Sequence, residues 1–203
     1  RALFYGPPGT GKTLAATLLG KKNQMDVYRV DLSMIVSKYI GETEKNLAKV
    51  FDMAENRNWI LFFDEADALF GKRTSTNTSN DRHANQEVAY LLQRIEDFPG
   101  TIILATNLRS NIDEAFSRRF QSVIYFPMPN EEQRYELWKN MLPPTWLNEQ
   151  NNELVTLAAE TELSGGSITN VVRRCALQLL MSGKKTLDTQ TLKEALEKEK
   201  AKL

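Results

Sequence analysis

The chain has 203 residues, 41% of them apolar, with 26 acidic and 26 basic side chains and a single cysteine, Cys175. That length suits one α/β domain with a small appendage, and the balanced charge argues against a dedicated nucleic-acid binder, which carries a basic excess. One thiol excludes an intrachain disulfide and fits a reducing, cytoplasmic setting, while no apolar run approaches the ~20 residues of a membrane-spanning helix.

The opening residues Arg1-Ala2-Leu3-Phe4-Tyr5 already have strand character with no signal peptide ahead of them in the chain, so the sequence reads as a domain excised from a longer protein whose upstream part it does not show. Further strands are expected at 27–30, 60–63, 102–105 and 123–126. The run Ile60-Leu61-Phe62-Phe63 lacks alternation, as a strand covered on both faces should. Helical spacing separates them: Leu14, Leu18 and Leu19 mark one helix. Leu47, Val50, Phe51 and Ala54 mark a second, and Val88, Leu91, Leu92 and Ile95 a third. Strands alternating with helices predict a parallel sheet in a three-layer α/β sandwich. Residues 72–82 are polar and rich in Ser, Thr and Asn, hence a loop. After Phe126-Pro127-Met128-Pro129 strand signals stop, and helices are expected at 131–141, 152–160, 167–181 and 189–202. A large α/β domain over 1–128 and a small all-helical domain over 129–203 follow from that change. Cys175 lies in a helical run with Val171, Val172 and Leu179 and is expected to be a buried thiol.

Between the first strand and the first helix lies Gly6-Pro7-Pro8-Gly9-Thr10-Gly11-Lys12-Thr13. A polyphosphate crowds the backbone, so glycines supply positive φ and close approach, and successive N–H groups at a helix start face the anionic oxygens. Lys12 would reach the β- and γ-phosphates, and the Thr13 hydroxyl would ligate Mg²⁺. Two glycines, Lys and Ser/Thr at this spacing arise by chance in under roughly one in a hundred chains of this length. Such a loop needs a carboxylate at the end of a nearby strand, and Asp64-Glu65 follows the apolar run 60–63. Asp64 would hold the Mg²⁺ shell and Glu65 would polarise an attacking water. An Asp-Glu pair alone is equally a helix-opening pair; the upstream loop decides for chemistry.

The loop, together with Asp64-Glu65-Ala66-Asp67-Ala68-Leu69-Phe70 and Ile103-Leu104-Ala105-Thr106-Asn107, resembles the AAA+ ATPases, and within them the AAA clade. The resemblance covers nearly the whole chain and implies a P-loop NTPase sandwich with a five-stranded parallel sheet, followed by a helical lid. It implies ATP and Mg²⁺ as cofactors, with nucleotide contacts from Gly6 to Leu14, Asp64 and Gly166, and Mg²⁺ held by Thr13 and Asp64 largely through water. Asn107 matches sensor 1, which positions the lytic water. Arg118 and Arg119, at the end of Asn111-Ile112-Asp113-Glu114-Ala115-Phe116-Ser117-Arg118-Arg119-Phe120, match arginines that enter a neighbouring subunit's site. Lys38, Tyr39 and Ile40 match the first pore loop, whose aromatic grips a translocating polypeptide. The 72–82 loop, with His83 beside it, falls where a second pore loop would lie. Asp31 matches a position that restrains the catalytic Glu.

The segment Leu163-Ser164-Gly165-Gly166-Ser167-Ile168 is similar to the turn that contacts the nucleotide base, although the usual acidic residue before that Ile is absent. Residues 64–73, 81–82, 85–96 and 105–120 resemble bacterial AAA ATPases encoded with contractile, phage-tail-like injection systems. No His-Glu-x-x-His is present, so a metalloprotease of the membrane-bound AAA type is not expected within this chain. The function this implies is a motor that hydrolyses ATP and remodels, unfolds or disassembles protein substrates as a ring of identical subunits, expected to be a hexamer. The alternative is a nucleotide-dependent assembly switch or scaffold that threads nothing. Neither nucleic acid nor membrane is expected as a partner.

Overall fold

A computed structural model of the protein describes residues 1–32, 42–67, 89–107, 117–146 and 152–202. They form two units, Arg1–Pro7 with Lys12–Phe126, and Pro8–Gly11 with Pro127–Leu203.

In the first unit, β1 (Ala2–Tyr5), β2 (Val27–Asp31), β3 (Ile60–Asp64), β4 (Thr101–Thr106) and β5 (Ser122–Tyr125) form one parallel sheet in the order β2-β3-β4-β1-β5. The expected five-stranded parallel sheet with flanking helices is present. β3 and β4 sit inside the sheet and are buried nearly throughout, which explains their unbroken apolar runs. β5 is an edge strand and exposed at every residue.

Helix α1 (Lys12–Asn23) covers one face. Its Ala16 packs with Phe4, Ile60, Phe62, Ile103 and Ala105. The leucines that mark α1 in the sequence are not its buried face. Leu14 and Leu18 are 62% and 54% exposed, while Ala16 and Gly20 are turned inward. Small side chains there let the helix backbone approach the sheet closely, which a leucine would prevent. On the other face, α2 (Glu42–Arg57) and the helical run 89–97 bury Leu47, Phe51, Ala54, Leu91 and Ile95 against Leu3, Leu61, Phe63, Ile102 and Leu104. α1 and α2 end alike. Gln24 and Asn58 take left-handed φ of 56° and 53°, and the next N–H groups bond back to the carbonyls of Gly20 and Ala54 at 2.9 and 3.1 Å. These bonds satisfy orphan carbonyls and aim the chain into β2 and β3.

The second unit contains α3 (Glu131–Met141), a short 3₁₀ turn (Pro144–Trp146), α4 (Asn152–Glu160), α5 (Gly165–Ser182) and α6 (Thr189–Lys200). Trp138, Leu142, Ala158, Leu163, Ile168, Val171, Leu192 and Ala195 are among the residues of its core. Asn130 and Gln133 form a capping box at the start of α3. Buried Arg134 donates to the carbonyls of Ala159 at 2.6 Å and Pro129 at 2.8 Å, tying α3 to the end of α4. Cys175 is fully buried and its thiol is pushed up to about 11 by burial, the state of an inert packing residue.

Asp188 caps α6, accepting from the Thr191 N–H at 2.8 Å and from Lys184 Nζ at 2.5 Å. Lys184 first, and the Thr191 N–H next, hold its carboxyl at about 2, below the ordinary 3.8. A depressed folded-state pKa gives stability that is full above the unfolded value and is lost as pH falls through the folded one. Asp188→Ala is therefore expected to cost about 1 kcal/mol at neutral pH. In urea melts the gap to the unsubstituted protein should narrow as pH falls from 3.8 toward about 2. A gap that does not change with pH would show that the carboxylate is not the stabilising group.

Candidate functional site

In the first unit, the carboxyl ends of β1, β3 and β4 are neighbours or next neighbours, because β1 pairs with β4 and β4 with β3. Chain connections leave β1 and β4 in opposite directions across the sheet, and in open α/β sheets the crevice outside such a switch point receives ligands. The residues that end these strands are Tyr5-Gly6, Asp64-Glu65 and Thr106-Asn107.

Gly6 opens the loop with φ of 145°, and a β-carbon on it would overlap the carbonyl oxygen of Phe126. Only glycine serves both conditions. Lys12, at the start of α1, is buried and folds back over the loop. Its ammonium donates to the carbonyls of Gly6 at 2.7 Å and Pro7 at 2.9 Å, and to Asn107 Oδ1 at 2.8 Å. All three ammonium hydrogens thus meet oxygen. Burial lowers the Lys12 pKa from the ordinary lysine value, and the charges of Asp64 and Asp67 oppose that shift. The lysine and sensor-1 candidates, 95 residues apart in the chain, are therefore in direct contact.

Asp64 ends β3. Its Oδ1 accepts from the Glu65 N–H at 3.0 Å, and its Oδ2 lies 3.5 Å from Thr13 Oγ1. Glu65 itself is exposed and has left-handed φ of 52°. Register sets Asp31 beside Asp64 across β2 and β3.

Two residues to which the sequence reading assigned no role belong to this cluster. Asp67 accepts hydrogen bonds from the Thr106 hydroxyl and, at 3.2 Å, from the Asn107 N–H, so it holds the end of β4 where Asn107 meets Lys12. Arg29 pairs with Asp64 Oδ2 at 2.7 Å. Each had a visible signal: Asp67 is a third acid, two positions after Glu65, and Arg29 interrupts the otherwise apolar run Val27-Tyr28-Arg29-Val30.

Mg²⁺ and a nucleotide fit these groups. A hydroxyl and a carboxylate at the end of β3 are hard oxygen donors, which suit Mg²⁺ when phosphates and waters complete its shell. A buried ammonium held only by oxygens can exchange them for phosphate oxygens. Among the described residues no cluster of three or more His, Cys, Asp or Glu could hold a metal by itself.

In the second unit, loop residues Pro8–Gly11 lie with the start of α5. The Gly166 N–H donates to the Gly9 carbonyl at 2.9 Å, and a β-carbon on Gly9, where φ is 74°, would overlap the Ser164 side chain. Ser164 in turn caps α5 by accepting from the Ser167 N–H at 3.2 Å.

The other candidates fall elsewhere. Arg118 and Arg119 are exposed after the helical residue Ser117, and Arg119 pairs with Glu96 at 2.6 Å in the same unit. Lys38, Tyr39 and Ile40, like the 72–82 loop and His83, lie outside the described residues. No described helix is long and apolar enough to cross a membrane.

Residues 2–128 match the family described as ATPase family associated with various cellular activities (AAA). The chain is 34% identical to the proteasome-activating nucleotidase of Methanococcus vannielii over 202 residues, 96% of this chain and 49% of that protein. It is 42% identical over 146 residues to cell division protein C of Sulfolobus acidocaldarius, covering 66% of this chain and 38% of that one. With human vacuolar protein sorting-associated protein 4A it shares 34% identity over 181 residues, 87% of this chain and 41% of that protein. The matched region thus spans half or less of each of these relatives.

Proposed function

The chain belongs to the AAA ATPase family, and from that premise we propose that it is the motor domain of a ring-forming machine that binds ATP with Mg²⁺, hydrolyses it, and remodels, unfolds or disassembles protein substrates. The observation that carries this reading is the convergence of Lys12, Thr13, Asp64 and Asn107 at the carboxyl ends of three strands. Bound Mg²⁺ supplies charge neutralisation and a fixed geometry for the phosphates.

The chain's own residues supply the rest. The loop backbone and Lys12 hold phosphate oxygens, Lys12 giving up its bonds to Gly6, Pro7 and Asn107 as it does so. Thr13 and Asp64 hold the cation. Asn107, released from Lys12 but still fixed by Asp67 through its backbone, orients the attacking water. Glu65 takes that water's proton. Arg118 and Arg119 of a neighbouring copy stabilise the charge that develops as the bond to the γ-phosphate breaks. Gly166 is proposed as a nucleotide contact on the resemblance of its segment alone.

A protein-directed role is supported by relatives whose names connect them with the proteasome and with vacuolar protein sorting. Tyr39, with Lys38 and Ile40, would grip the substrate in the ring's channel, where apolar contact serves any passing sequence. Unchanged substrate processing by Tyr39→Ala would favour a nucleotide-dependent switch or scaffold instead. The ring is proposed to be a hexamer in the cytoplasm. Association with a contractile, phage-tail-like injection system is proposed on residues 64–73, 81–82, 85–96 and 105–120 alone.

A site completed by a neighbour's arginine works only in the assembled state. ATP turnover per subunit is expected to rise with protein concentration and to level off where light scattering shows assembly complete. Equal turnover per subunit in a strictly monomeric sample would overturn the shared site.

A further inference from the structure

We propose that Arg29 is a resident counter-cation of the metal-binding carboxylate: it neutralises Asp64 before a divalent ion arrives, and so sets how much Mg²⁺ the site requires. The inference rests on the reading of Asp64 as a metal-holding group.

Arg29 stands level with Phe62 in the β2–β3 register, two residues short of Asp64. At the ~3.3 Å rise of a parallel strand, its side chain must run about 7 Å along the sheet to reach the carboxylate. It does so, with Nη2 donating to Asp64 Oδ2 at 2.7 Å. That is the same oxygen that faces Thr13 Oγ1 at 3.5 Å. The guanidinium and the hydroxyl proposed to share the cation thus converge on one atom, while Oδ1 is held by the Glu65 N–H.

Asp64 is 15% exposed, and a carboxylate this withdrawn from water needs a partner. Lys12 does not make a hydrogen bond to it, being bonded to Gly6, Pro7 and Asn107. Arg29 is 58% exposed, so its outer side stays in water and it can swing away at little cost. The pair is strong enough to hold Asp64 in place and weak enough for a dication to displace. The retained positive charge nearby then works against the incoming ion.

The test is Mn²⁺ uptake in the presence of saturating ADP, read as loss of the free-ion EPR signal beyond that of a protein-free Mn²⁺–ADP solution of the same composition, with Mn²⁺ standing for Mg²⁺ at hard oxygen ligands. Removing the charge in Arg29→Gln is expected to lower the half-saturating Mn²⁺ concentration about three- to tenfold, a range set by two charges on a partly exposed carboxylate. Arg29→Lys, which keeps the charge, should stay near the original midpoint. Arg29→Met repeats the charge removal with an unbranched apolar chain, so the test survives a folding defect in one variant. An unchanged or raised midpoint in the neutral variants, or an equal fall in Arg29→Lys, overturns the inference. Failure of the unsubstituted protein to take up Mn²⁺ overturns the metal site itself, and this inference with it.

Discussion

Glu65→Gln is expected to lower ATP turnover by about 10²–10⁴-fold while leaving ATP affinity unchanged. The chemical change is confined to one function: an amide cannot accept the proton of an attacking water. The structural change is small. Glu65 is exposed, and its backbone is fixed by its own N–H on Asp64 Oδ1 at 3.0 Å and by the next N–H, that of Ala66, on the Ala105 carbonyl at 2.9 Å. These bonds hold a left-handed φ of 52° that a side-chain-bearing residue adopts at a cost of about 1–2 kcal/mol. Glutamine meets the same cost, so the fold should not report the substitution. Single-turnover hydrolysis and a fluorescent-nucleotide titration on one sample separate the outcomes. Full turnover would reject Glu65 as the base; loss of binding together with turnover would assign it a structural role.

The arginine pair carries the second large effect. Arg118→Ala is expected to reduce turnover by about 10³–10⁵-fold, the range for an arginine that offsets charge in phosphoryl transfer. Arg119→Ala also removes the ion pair with Glu96. Being exposed, that pair is worth about 0–1 kcal/mol of stability, so part of any loss there is local. A mixing experiment tests action in trans. A ring assembled from equal amounts of Arg118→Ala and Glu65→Gln chains contains interfaces in which an intact Glu65 meets an intact neighbouring Arg118. With random mixing in a head-to-tail ring, about a quarter of sites are of that kind. Recovery to roughly that fraction of unsubstituted turnover supports a shared site, and no recovery places the arginine's action within its own chain.

Much of the fold was legible because its signals are local. Each of the five strands is found within one or two residues of its apolar run, and α3 and α4 fall on their expected residues. α5 begins two residues earlier than expected, at Gly165, because Ser164 supplies its cap. The leucines of α1 marked a helix that is present, while its buried face is made of small residues, because close packing against a sheet selects them. The phosphate loop and the Asp64-Glu65 doublet were legible for another reason. The chemistry proposed for them needs particular residue types at fixed short spacing, which a linear chain displays directly.

The roles of Arg29 and Asp67 were not legible in that way. Arg29 meets Asp64 across 35 positions, and Asp67 meets Asn107 across 40. Their local signals, a charge inside an apolar run and an acid shortly after Glu65, do not say which residue either one meets. The sequence by itself determined the element types, the parallel α/β class and the place of the glycine-rich loop between the first strand and the first helix, because periodicity and motif spacing are short-range properties. Only the tertiary structure decided which charges surround Asp64 and what holds Asn107 against Lys12. Those contacts depend on strand order and register, and a shift of one residue would turn each side chain to the opposite face of the sheet.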